Sequence, residues 1–161
     1  MSGKIESRFA DAYIERCDKE SEQVIAAETP AFLERPIAYL EKHKNEFIYL
    51  ESDWFDKIGI DAVSLEVDDV FGTYDTMVGL KLKKAAEARI KAYLNQELNG
   101  EEPKYDLMFD HAEGLWNLNF TLNYVNDFNE ELSIGEAYNL IYLFLFKLVE
   151  AADHECSAEL K

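Results

Sequence analysis

Four carboxylates fall within the ten residues "EVDDVFGTYD": Glu66, Asp68, Asp69 and Asp75. Oxygen ligands at such spacing suit Mg²⁺, with water completing the shell. A magnesium–nucleotide site also wants a second acidic motif and a loop that cradles phosphate. The chain contains neither a GxxxxGK[ST] nor a GxGxxG stretch. Solvated loop acids are the ordinary reading.

The other residues with chemical potential are scattered. His43, His111 and His154 include no pair three or four residues apart, so the usual helical ligand spacing is missing. Asp110, His111 and Glu113 lie together in a loop, as do His154, Glu155 and Cys156 near the C-terminus. Either group needs a partner from elsewhere to hold a metal, so no metal and no cofactor is expected. Cys17 shares a four-residue spacing with Ile5, Phe9 and Tyr13, which marks a core cysteine. Its neighbours Arg16 and Lys19 are offset by Glu15, Asp18 and Glu20, a poor setting for a low-pKa thiol. No serine stands in a GxSxG elbow, and no catalytic residue is assigned.

Two patterns suggest binding instead. In "GLWNLNFTLNYVND", Trp116, Leu118, Phe120, Leu122 and Tyr124 alternate with Asn117, Asn119, Thr121 and Asn123. A strand sends alternate side chains to opposite faces, so an apolar wall backs a row of amides and a hydroxyl. Asn is depleted in strands. The row is either a solvent face or a recognition face, since amides donate and accept without charge repulsion. The second pattern is Lys81, Lys84 and Lys91, which share one side of an expected helix and form a candidate anion site, or pair with the chain's own acids.

These residues sit in a chain of 161 with a formal net charge of −17, the acids concentrated outside residues 77–100. Nucleic-acid backbones and anionic membranes are disfavoured as partners. A basic protein would be attracted and steered. The N-terminal residues carry no apolar signal segment, and the longest apolar run, "AYNLIYLFLF", is too short to span a bilayer. A reducing cytoplasm is the expected compartment. The length suits one globular domain over residues 1–161 with a frayed C-terminal end.

The elements expected to position the residues follow from periodicity. Residues 4–27 read as an amphipathic helix. Pro36 opens a second helix that turns Ile37, Leu40, Phe47 and Trp54 inward. Val63, Leu65 and Val67 mark a short strand, with a loop at Gly72. Residues 76–98 read as a helix with Leu82, Ala86, Ile90 and Leu94 on one stripe, ended by "NGEEP". Tyr105–Phe109 and Leu115–Val125 form a hairpin. Ser133 and Glu136 make a capping box before a helix that is apolar nearly all round. The fold class is α+β, with amphipathic helices packed on one face of a small antiparallel sheet and a C-terminal β-hairpin followed by a buried helix.

Together these features predict a non-enzymatic, acidic, cytoplasmic binding protein that docks or neutralises a basic protein, as inhibitor, immunity and antitoxin proteins do. The alternative is a small-ligand binder or enzyme with an aromatic pocket between hairpin and helices. A third is a DNA mimic, which needs carboxylates in a regular surface row.

Overall fold

The computed structural model describes residue 9 and residues 11–98 and 105–159, of which 153–159 are described by their backbone only. The fold is mixed α+β. Seven antiparallel strands form one sheet: β1 (Tyr13–Asp18), β2 (Val24–Glu28), β3 (Glu46–Glu51), β4 (Ile60–Val67), β5 (Tyr74–Leu80), β6 (Tyr105–Asp110) and β7 (Leu115–Thr121). Their order across the sheet is β2-β1-β3-β4-β5-β7-β6. The helices are α1 (Tyr39–Lys42), α2 (Asp53–Lys57), α3 (Glu87–Glu97) and α4 (Ile134–Glu159).

Register explains the two faces. Residues directly opposite across antiparallel strands point the same way. One row runs Ile14, Leu50, Val63, Val78, Leu118, Leu107 and the next runs Arg16, Ile48, Leu65, Thr76, Phe120, Tyr105. These rows are the core face, where Ile14, Ile48, Leu50, Val63, Leu65 and Leu118 are fully buried. Tyr138 of α4 reaches this face and donates its hydroxyl to the carbonyls of Val63 at 3.1 Å and Ile48 at 3.4 Å. A buried Tyr needs such a partner. Phe144 of the same helix packs on Phe120 with ring centroids 5.0 Å apart.

The capping box forms as expected. The Ser133 N–H donates to Glu136 Oε1 at 2.8 Å and the Glu136 N–H donates to Ser133 Oγ at 3.0 Å. The buried residues of α4 include Ile134, Ala137, Tyr138, Ile141, Leu145 and Leu148. The stripe Leu82, Ala86, Ile90 and Leu94 is buried throughout.

Four expectations are corrected. Residues 13–28 form β1 and β2, not the helix expected over residues 4–27; Ile5 lies outside the described residues. The helix expected from Pro36 shrinks to α1, and Phe47 belongs to β3 while Trp54 sits in α2, partly exposed. Residues 76–80 pair as β5 with both β4 and β7 before the α3 stripe begins. The sheet is therefore not small, and the terminator "NGEEP" lies outside the described residues. In each case strand pairing captured a segment whose spacing also fits a helix.

Candidate functional site

The face opposite the core is the most informative surface. One row crosses six strands as Glu15, Tyr49, Ser64, Met77, Asn119 and Asp106. The adjacent row is Cys17, Phe47, Glu66, Asp75 and Thr121. Asn119 and Asp106 are exposed, and Tyr49, Met77, Glu66, Asp75 and Thr121 are half-buried. Cys17 is buried, and burial raises its thiol pKa. It therefore lines the open-face row while remaining inaccessible.

The central feature is Glu66 directly opposite Asp75. Like charges so placed repel. Asp75 is pushed up to about 6, first by burial and then by Asp68 and Glu66, with Lys19 opposing. Glu66 is raised for the same leading reason. Lys19 is the cation that serves this end of the sheet. Its Nζ donates to the Val67 carbonyl at 2.8 Å and to Asp69 at 3.2 Å, and lies 4.0 Å from Glu66. Among the described residues no three His, Cys, Asp or Glu side chains form a metal-ligating group.

A stability prediction follows. The ordinary value for this carboxyl is 3.8 and its folded value is about 6. Between these values the folded state holds more protons than the unfolded chain, so stability falls as pH rises. Above the folded value the native protein carries the full cost of the charge. Asp75→Asn should therefore stabilise by about 1 kcal/mol near neutral pH, after allowance for solvent screening of a half-exposed group. Near pH ~3.5 the gain should vanish. Urea midpoints of the two chains at both pH values read this directly.

The amide row divides. Asn117, Asn119 and Thr121 stand on the open face beside Gly79, Met77 and Asp75. Asn123 does not. The chain turns into a 3-10 helix at Leu122–Tyr124, and Asn123 Oδ1 accepts the Tyr74 N–H at 2.8 Å. Its role is to hold the start of β5. The three lysines are not on one helix face, because Lys81 lies beyond the end of β5 and Lys84 in a 3-10 turn. Lys81 pairs with Asp61 at 2.7 Å, Lys91 with Glu87 at 2.7 Å, and Lys84 lies over the Phe109 ring.

Of the histidines, His43 stacks on Tyr39 and His111 meets Phe109 edge-on. The side chains of His154 and Cys156 lie outside the described residues. A groove of about 210 Å³ lies between α3, α4 and the turn after β7, lined by Tyr93, Val125, Leu140 and Phe144 among others. The Tyr93 hydroxyl there is committed to the Phe144 carbonyl at 2.9 Å. No helix among the described residues is long and apolar enough to cross a membrane. Comparison with protein-family models, curated proteins and solved structures finds no match to this chain. The fold and the site describe an α+β protein with an open, acidic sheet face.

Two features of this site escape a reading of the sequence. Glu66 and Asp75 are nine positions apart and become neighbours only through the β4–β5 register. Tyr49, expected on a helix, enters the row as part of β3.

Proposed function

We propose that this protein docks a basic protein partner on the open face of its sheet and performs no chemistry on it. It would act in the cytoplasm, in the manner of inhibitor, immunity or antitoxin proteins. The observation that carries the reading is the composition of the open face. Glu15, Glu66, Asp75 and Asp106 are interleaved with Tyr49, Met77 and Asn119 on one paired surface. Carboxylates steer a cationic partner and set its encounter rate. An aromatic ring and amides on a rigid sheet supply short-range contacts. The charge of −17 extends the attraction over roughly a Debye length, about 8 Å at physiological salt.

The test starts with a partner captured at low salt, purified, and followed by stopped flow. Association should slow at least tenfold between about 30 mM and about 500 mM salt, with a much smaller change in dissociation. Asn119→Ala should weaken binding by about 1 kcal/mol or more if it lies at the interface centre, with stability moved by less than about 0.5 kcal/mol. Asn123→Ala should instead cost about 1–2 kcal/mol of stability, because it strands the Tyr74 N–H. Association indifferent to salt would defeat the reading.

A further inference from the structure

The β4–β5 hairpin ends in a turn that places two large apolar side chains in water. Val70 and Phe71 are each 81% exposed, the highest values among the large hydrophobics of the described residues. Burying them would release about 25 cal/mol for each Å² removed from water, and this fold leaves that unrealised. The turn is not loose. Asp68 Oδ2 accepts the N–H groups of Val70 at 2.9 Å and Phe71 at 2.7 Å. The Asp68 N–H donates to the Thr73 carbonyl at 2.7 Å and the Gly72 N–H to the Asp68 carbonyl at 2.9 Å. Gly72 closes the turn at a φ of +72°, where a side chain would be strained.

The base of this turn is acidic. Asp68 and Asp69 lead into it, and Glu66 and Asp75 stand just below on the open face, four carboxylates against the nearby Lys19. An exposed aromatic on a hydrogen-bonded turn, with carboxylates at its base, resembles the centre of a protein interface, where aromatic anchors dominate affinity. Prior ordering of the turn lowers the entropy cost of docking.

We propose that Phe71, supported by Val70, is the anchor of the interface. It inserts into an apolar pocket rimmed by Lys and Arg on a folded protein partner. This rests on the sheet-face reading and extends it to the hairpin tip. The acidic collar selects the occupant. An anionic lipid surface is repelled by Asp68, Asp69 and the chain's charge of −17, and so is a second copy of the chain.

The full chain carrying benzoylphenylalanine at position 71 is irradiated in the cells of origin, beside a control with the same residue at Leu143, which is exposed on α4. The expected result is a crosslink from position 71 only, to a protein whose contact peptide contains Lys or Arg beside apolar residues. With that protein purified, Phe71→Ser should weaken binding at least tenfold through faster dissociation, with the melting temperature unchanged, and Phe71→Trp should retain affinity. No crosslink specific to position 71, or affinity within twofold after Phe71→Ser, overturns the proposal. It is equally overturned by Phe71-dependent co-sedimentation with phosphatidylcholine–phosphatidylglycerol vesicles, or by Phe71-dependent self-association. The paired variant Glu66→Gln/Asp75→Asn separates the two readings. If Phe71→Ser loosens the complex and the pair leaves association unchanged, the sheet-face reading falls and the cationic rim with it. If the pair slows association and Phe71→Ser does nothing, the anchor alone falls.

Discussion

Leu145→Ala is expected to lower the unfolding free energy by about 2–5 kcal/mol. Leu145 is fully buried on α4, within the core cluster that includes Tyr138, Ile141 and Leu148. The truncation loses the transfer free energy of the removed carbons and leaves a cavity that close-packed neighbours fill only in part. The adjacent Phe146 is a control on the same helix. It is 40% exposed and stacks on Tyr142, so Phe146→Ala should cost less than about 1 kcal/mol despite removing a larger side chain. Denaturant midpoints of the two variants decide the matter. An unchanged midpoint for Leu145→Ala would mean that this face of α4 is not in the core.

Arg16→Met is the second large effect, expected at about 2–4 kcal/mol of lost stability. Arg16 lies on a core-face row near the sheet edge, where its Nε pairs with Glu28 at 2.6 Å and its Nη1 with Glu46 at 3.1 Å. The Tyr39 hydroxyl also donates to Glu46, at 2.8 Å. Glu46 is one of two polar residues buried among the described residues. Losing Arg16 leaves that carboxylate in low dielectric with the Tyr39 hydroxyl as its remaining side-chain donor. The loss exceeds what the pair itself contributes, because most of it is the cost of an uncompensated buried charge. One control follows from that cause. Arg16→Met/Glu46→Leu should recover much of the loss. A double variant no better than Arg16→Met would shift the explanation to lost packing of the arginine stem.

The predictions for Asp75, on β5, and Asn123, in the 3-10 turn after β7, show how differently two polar positions behave. Asp75 is destabilised by its surroundings and should improve on neutralisation. Asn123 completes a backbone hydrogen bond and should not tolerate truncation. Asn123 belongs to the expected amide row and Asp75 to the expected carboxylate cluster, and only the tertiary setting tells their behaviour apart.

Local pattern alone determined several elements. The capping box at Ser133 and Glu136, the alternation of Val63, Leu65 and Val67, and the β6–β7 hairpin were legible because their stabilising contacts lie within a few residues. The acidity is a property of composition. The stripe Leu82, Ala86, Ile90 and Leu94 was legible for its burial, since four-residue spacing keeps residues on one helix face. The same spacing misled at the N-terminus. Tyr13 and Cys17 are four apart, which fits a helix, but four is also twice the strand period. They do share a face, and it is the open face of the sheet. What chose strand over helix was pairing with β3, whose residues lie about thirty positions away, and no local signal reports such a contact. The same holds for the site. Neither the opposition of Glu66 and Asp75, nor the place of Thr121 beside them, nor the removal of Asn123 from the amide row is written in spacing. Each depends on which strand lies next to which, and register across a sheet is set by the burial of a whole face.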